Sequence, residues 1–301
     1  MTDRPRLRAA KPPFYRNIFV RHPVNPFLPL ATPRVEYLRR LEPCVVMGRG
    51  HSGTRVVSWI CHHLGIEMGA DPAAVPSGDP KERSFKHHQR IVATHSLDVR
   101  SADAVNFLDL NRFQKAVYGF HRRLGVGAGA WGWKFPETYL IGPYVARTFP
   151  RARYIHLLRD GRDVAFKRHL TDVAEHRLAR AILRRRDALT LPHHLQAAAS
   201  WALQVERFDV FQRTLSPSSV LTLRYEELAQ HPIDATERIA AFLGMRVTTA
   251  ACQYAATEVT AEHAQQFRQQ DPERVREIEQ LIGPTLRAAG YAVRQEMGDP
   301  G

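Results

Sequence analysis

Residues 45–61 read VVMGRGHSGTRVVSWIC, and no other stretch of the chain is so rich in groups that could do chemistry. An apolar run enters a glycine-rich turn, crosses a Ser52-Gly53-Thr54 step and continues into apolar-periodic sequence. That order predicts a strand, a loop and the start of a helix. The N–H groups of such a loop and of the first helical turn point inward and carry partial positive charge, which suits phosphate or sulfate. The spacing approaches the triphosphate-binding pattern, with Gly48, Gly53 and then a hydroxyl residue, but Thr54 stands where that pattern needs its Lys. The loop is expected to hold an anion without the triphosphate clamp.

A second stretch, residues 151–169, reads RARYIHLLRDGRDVAFKRH. The apolar run Tyr154 to Leu158 ends in Arg159-Asp160-Gly161-Arg162-Asp163 and passes into helix-like sequence. Clustered Arg at a strand end beside a Gly turn predicts a second anion site. Two such sites at neighbouring strand ends suit a nucleotide phosphorylated at both ends of its ribose.

With these two stretches and a third, Leu223-Arg224-Tyr225-Glu226-Glu227-Leu228 followed by Ala240-Ala241-Phe242-Leu243-Gly244, the chain resembles the sulfotransferases that use 3′-phosphoadenosine 5′-phosphosulfate (PAPS), in particular the bacterial and the carbohydrate or tyrosine types. The resemblance runs from about Val45 to Met245. It implies a P-loop-like α/β fold of three layers, a central parallel sheet flanked by helices. It also implies that Arg49, Gly50, His51, Ser52, Gly53, Thr54 and Arg55 hold the 5′ end of the cofactor. Arg159 and Lys167 would hold the 3′-phosphate, and Arg224 is counted with the cofactor-binding residues. Two positions depart from the family. Before the Ser-Gly-Thr step the family has a Lys or Arg that neutralises the leaving oxygen; here it is His51, which could serve as a general acid, or Arg49 and Arg55 could supply the charge. Where the family has a Ser eight residues after the 3′-phosphate Arg, this chain has Lys167, which can hold a phosphate as a point charge or else point to solvent.

The stretch Trp131-Gly132-Trp133-Lys134-Phe135-Pro136 resembles the Lys-x-Pro strand end that some members place beside the sulfuryl group, so Lys134 is expected as a second transition-state cation. For the base, the loop after the first helix offers Asp71, Asp79, Glu82, His87, His88 and His95. Asp79 is favoured because its distance from His51 resembles the family's carboxylate placement; as a residue in a Ser-Gly-Asp-Pro turn it could equally hydrogen-bond only its own backbone. Asp71 and Glu82 stay open. Arg162 and Asp163 are expected to pair with each other and stabilise the turn.

The elements that must position these groups follow from the pattern. Residues 1–42 are basic, rich in Pro and weakly periodic, and are expected to form an extended arm before one α/β domain over 43–295. Strands are expected at Cys44 to Met47, Trp131 to Phe135, Tyr154 to Leu158 and Val220 to Leu223. Helices are expected from about Gly53 to Leu64, over Asp103 to Leu124, Tyr139 to Thr148 and after Val164, then from Thr171 to Ser216 with a break at Leu191-Pro192, and from the last strand to Tyr291. Alternating strands and helices imply a parallel sheet with its ligand at the strands' C-terminal ends.

With 301 residues, 44% hydrophobic and 24% charged, the chain has enough apolar sequence for a full core and the balance of a globular protein. No run approaches the roughly 18–20 apolar residues that span a bilayer, and the basic N-terminus lacks the apolar core of a secretory signal. Three cysteines without metal spacing or a disulfide framework fit a reducing cytoplasm, and no metal is expected. The net charge of +13 fits a polyanionic cofactor and an acceptor that is itself anionic, or simply the solvated run Arg177, Arg180, Arg184, Arg185 and Arg186. Nucleic acid is not expected, since no zinc finger, helix-turn-helix or aromatic-basic interleaving is present. Two other readings are a nucleotide-dependent phosphotransferase, against which the missing Lys counts, and a non-catalytic module that binds a polyanion.

Overall fold

A computed structural model describes residues 27–70 and 78–293. In chain order its helices and strands are α1 (Thr32–Arg39), β1 (Cys44–Met47), α2 (Thr54–His63), α3 (Arg83–His95), α4 (Phe107–Leu124), β2 (Gly132–Lys134), α5 (Gly142–Thr148), β3 (Arg153–Leu158), α6 (Gly161–Ala165), α7 (Arg177–Arg184), α8 (His193–Gln212), β4 (Val220–Arg224), α9 (Tyr225–Gln230), α10 (Pro232–Leu243), α11 (Thr249–Glu258) and α12 (Pro272–Ala288). The four strands form one parallel sheet in the order β2-β1-β3-β4.

Side-chain alternation along the strands divides the core. Val45, Met47, Trp133 and Tyr154 pack on one face against α3, α4, α5 and α8, through Phe85, Phe113, Val117, Tyr144 and Phe208. Cys44, Val46, Ile155 and Leu157 pack on the other face against α2, α10 and α11, through Val57, Ile60, Ile239 and Ala251. Both faces are buried, which is why the strands read as unbroken apolar runs. A third cluster joins Leu158, Val164 and Trp201 to Ile278, Ile282 and Leu286 of α12.

From central β1 the chain goes to β2 on one side, then returns to β3 on the other. Such a reversal opens a crevice beyond the strands' carboxyl ends, where open α/β sheets bind ligands. The register sets Val46 beside both Lys134 and Ile155, so β1 and β2 end within one residue of each other while β3 runs on to Leu158.

Several elements differ from expectation. Residues 32–39, assigned to an extended arm, form α1, opened by Pro33 in its first turn, with Leu38 buried. Leu30 and Leu41 join the same core; the rest of the arm, 1–26, lies outside the described residues. The helix expected from Asp103 starts at Phe107, where Asn106 caps it through the Asp109 N–H. Residues 136–140 are a 3-10 turn ahead of α5, and 171–176 are irregular rather than helical. α3 was not anticipated. Between α11 and α12, residues 259–271 hold only two short 3-10 turns.

Candidate functional site

Between β1 and α2 the chain turns through two left-handed residues, His51 (φ 68°) and Gly53 (φ 89°). Gly53 precedes the helix, and a Cβ there would meet the Tyr225 ring at 2.5 Å, so backbone conformation and space both require Gly. A histidine at positive φ carries a conformational cost that functional loops tend to retain. Among the described residues, the N–H groups of Gly53, Thr54 and Arg55 have no backbone acceptor; the bonds begin with Val56 N–H to the Gly53 carbonyl at 3.0 Å. These are the open donors of a helix start. Ser52 and Thr54 are buried in the turn and Arg55 is exposed.

The two cationic candidates of the loop behave differently from each other. Arg49 is buried, with Nη2 bonded to the buried Asp172 carboxylate and Nη1 donating to the Gly50 carbonyl at 2.8 Å. Its guanidinium braces the loop, and its Nε lacks a partner among the described residues. His51 is exposed and donates from Nε2 to the Arg168 carbonyl at 2.8 Å. Its pKa lies below the usual 6.5, mainly through desolvation and then through Arg49 and Lys167, against the opposing Arg168 carbonyl and Asp172.

At the end of β3, Arg159 is buried and donates from Nε and Nη2 to Asp163 Oδ2, at 3.2 and 3.1 Å. Nη1 donates to the His51 carbonyl at 3.0 Å and Nη2 also to that of His263. The guanidinium lies 4.3 Å from the Tyr225 ring centre, within cation–π range. Asp163 accepts the N–H groups of Gln265 and Phe267, each at 2.9 Å, which ties the 259–271 segment to this strand end. Lys167 donates to Gln266 Oε1 at 3.0 Å. Arg159 therefore meets both the anion loop and the 263–267 segment, and Lys167 meets that segment at Gln266. Arg162 does not pair with Asp163: it binds Asp160 at 2.7 Å and Glu279 at 2.5 Å, because the helical turn puts Asp163 on the side of Arg159. Arg224 does not join the group; it lies 4.7 Å from the Tyr291 ring centre and donates to the Ala289 carbonyl at the end of α12.

At the end of β2, buried Lys134 contacts Asp79 Oδ1 at 2.5 Å, and Lys86 approaches Oδ2 at 4.0 Å. The structure thus joins two candidates 55 positions apart in the chain. Ser58 of α2 holds the Asp79 turn by donating to the Gly78 carbonyl at 3.1 Å. Desolvation lowers the Lys86 pKa, with Asp79 opposing. Beneath them, Glu137 is fully buried against Arg90 at 3.0 Å, and its pKa is raised by burial.

The other carboxylates and imidazoles are occupied elsewhere or lie outside. Glu82 caps α3 and pairs with Arg123 at 2.8 Å. His95 bonds Asp109 at 3.1 Å. Burial lowers His87, and takes His88 down to about 4 with help from His87 and Arg112. Asp71 lies outside the described residues. Of the α7 arginines and their neighbours, Arg185 pairs with Asp98 at 2.5 Å and Arg186 pairs with Glu206, so part of the basic run is neutralised. Sequence reasoning missed His169, whose ring lies 5.9 Å from that of His51, edge to face. It follows Lys167 by two residues and belongs to no motif that would have marked it.

A sequence model of the Sulfotransferase family matches residues 43–249, well over half of the chain. The chain belongs to the sulfotransferase family. A sulfotransferase from Mycobacterium avium is similar in fold, with a TM-score of 0.52 and 14% identity over 87% of this chain and 80% of that one. One from Mycobacterium tuberculosis H37Rv has a TM-score of 0.50 and 12% identity over 84% and 79%. No curated protein matches in sequence. Family membership makes the chain a transferase of the sulfuryl group. Among the described residues no cluster of three or more His, Cys, Asp or Glu is placed to hold a metal, and no helix is long and apolar enough to cross a membrane.

Proposed function

We propose that this sulfotransferase takes its sulfuryl group from PAPS and passes it to a hydroxyl or amine, without a metal. The observation that carries the reading is the pair of cation-rich strand ends, the open-donor loop after β1 and Arg159 after β3, linked through the His51 carbonyl. When bound, PAPS supplies the activated sulfuryl group and, at its ribose, a second phosphate. The Gly53, Thr54 and Arg55 N–H groups and the hydroxyls of Ser52 and Thr54 would hold the 5′-phosphate, while Arg159 and Lys167 would hold the 3′-phosphate. Besides Asp163, the acceptors that Arg159 and Lys167 now contact are neutral carbonyl and amide oxygens, which a phosphate would replace with anionic ones.

Lys134 would neutralise charge on the transferring group. Asp79 bridges Lys134 and Lys86, an arrangement that fits a carboxylate orienting two ammonium groups, with release of the pair as Lys134 engages the donor. His51 would supply the cation that other members take from Lys or Arg. Its Nε2–H is committed to the Arg168 carbonyl, so Nδ1 takes up the proton, and nearby phosphate favours the charged ring. The cationic Lys86 beside Asp79 favours an acceptor that carries negative charge.

Thermal shift with 3′,5′-adenosine bisphosphate, ATP and heparin tests the reading. At about 100 times its Kd the bisphosphate adds roughly 2.7 kcal/mol, on the order of 5 °C. An equal shift with ATP would favour the phosphotransferase reading, and a shift with heparin alone would favour a polyanion-binding module.

A further inference from the structure

His169 is a half-buried titratable group beside the anion loop, outside the proposed cofactor contacts. A Cβ added at Gly50 would come within 2.4 Å of its Nε2, so the imidazole edge lies directly on the loop backbone. Its other nitrogen is anchored. Nδ1 is 2.8 Å from Thr171 Oγ1, and that hydroxyl donates to Asp172 Oδ1 at 3.0 Å. A hydroxyl has one proton to give, and this one is spent on the buried carboxylate, so Oγ1 accepts from Nδ1–H. The Thr171 N–H, at 3.3 Å from Nδ1, is the longer contact and calls for the opposite tautomer. The shorter bond, backed by Asp172, assigns the proton to Nδ1 and the lone pair to Nε2. Nε2 has no partner among the described residues.

The same carboxylate fixes the whole unit. Asp172 accepts the His169 N–H at 2.9 Å and closes on Arg49, while Ser200 of α8 donates to the Thr171 carbonyl at 2.9 Å. An oriented imidazole with a free Nε2, backed by a hydroxyl and a carboxylate, has the construction of a base held by its second nitrogen.

We propose that His169 is the general base of the transfer, its Nε2 receiving the acceptor's proton while Thr171 and Asp172 hold the ring. This rests on the sulfuryl-transfer reading above. The acceptor oxygen or nitrogen bonds to sulfur as the bridging S–O bond breaks, and that bond's electron pair stays on the departing phosphate. The acceptor's proton moves to Nε2, giving an imidazolium that keeps its Nδ1–H on Thr171.

The groups acting on the ring are Arg49 and His51 from the loop, Arg90 from α3 and Lys134 from β2. Burial first, and then these cations, push its pKa down to about 2, so the free protein presents a lone pair at every ordinary pH. Such a ring is a weak base until the cations are offset. A phosphate-bearing donor among Arg49, His51 and Lys134 offsets them, and basicity rises only when the donor is in place.

The test uses the full chain with ¹⁵N-labelled histidine. His169→Gln identifies the resonance, and its imidazole is titrated from pH 5 to 9 with and without 3′,5′-adenosine bisphosphate, whose binding is measured separately by calorimetry. The expected result is an Nδ1–H tautomer that does not titrate over this range in the free protein and that begins to titrate within it when the bisphosphate binds. Thr171→Val should shift the tautomer toward Nε2–H. Bisphosphate release from PAPS, with water as the probe acceptor, should fall at least 30-fold in His169→Gln while the bisphosphate Kd changes less than threefold. A protein that binds the bisphosphate but holds its proton on Nε2, or whose His169 ignores the ligand, or whose Gln variant releases product at the parent rate, overturns the proposal. Failure of the bisphosphate to bind at all instead overturns the PAPS reading, and this inference with it.

Discussion

Asp172→Asn should destabilise the protein more than any surface change, because of what Asp172 holds. Both it and Arg49 are essentially without solvent access, and the carboxylate takes the Arg49 guanidinium, the Thr171 hydroxyl and the His169 N–H. The amide keeps the shape and can still accept a bond, but it leaves Arg49 as an uncompensated buried cation whose Nε is already without a partner. Breaking a buried pair from one side costs roughly 3–5 kcal/mol, whereas replacing both partners with apolar residues of similar volume is often near neutral. We therefore expect Asp172→Asn and Arg49→Met each to lower the free energy of unfolding by about 3 kcal/mol. The double variant Arg49→Met with Asp172→Asn should lose less than the two single losses summed, by a coupling of at least about 2 kcal/mol. Urea unfolding of the four proteins measures it. Additive losses, or a harmless Asp172→Asn, would refute the view that this pair braces the loop from beneath.

Arg159→Ala should weaken 3′,5′-adenosine bisphosphate by about 2 kcal/mol, close to 30-fold, in calorimetry; unchanged affinity would remove Arg159 from the 3′-phosphate. His51→Lys should keep or raise turnover of PAPS if the position needs only a cation, and a collapse would point to proton transfer by the ring. Asp79→Asn should leave bisphosphate affinity within threefold and lower the Lys86 pKa further, since the carboxylate now raises it; pH-dependent acylation of Lys86 followed by mass spectrometry reads this, and an unmoved Lys86 would contradict the bridging role. Melting temperature should fall as pH drops below 6.5. His88, His156 and His169 have folded pKa values of about 4, 3 and 2, so the unfolded chain binds more protons across that window and stability present above it is lost on acidification. A flat profile from pH 7 to 4.5 would contradict those burials.

The parts of the fold that were legible in the sequence are those fixed by local chemistry. The anion loop shows itself through Gly48, Gly53 and the hydroxyl step, and β1 and β3 through apolar runs that end in polar turns. What was hidden depends on distant partners. α1 looked like part of an arm because it follows a Pro-rich stretch and opens on Pro33 itself, yet Leu38 finds a buried seat on the core. Arg162 and Asp163 are adjacent in sequence but a helical turn sends them to Glu279 and Arg159. The Asp79–Lys134 contact joins a loop to a strand end, and no spacing rule spans such a gap. Arg49 has the composition of a ligand and the burial of a brace, a difference set by Asp172 far down the chain. His169 was invisible for the same reason: its meaning comes from Gly50, Thr171 and Asp172 at once.

Two anion pockets should grip opposite ends of one nucleotide. Calorimetry with 3′,5′-adenosine bisphosphate, 5′-AMP and 3′-AMP tests it most directly. One site per chain is expected, with the bisphosphate tighter than either monophosphate by at least about 30-fold, the contribution of one charge-assisted phosphate contact, and with the advantage over 5′-AMP lost in Arg159→Ala. Equal binding of the bisphosphate and 5′-AMP, or no uptake of any of the three, would contradict it.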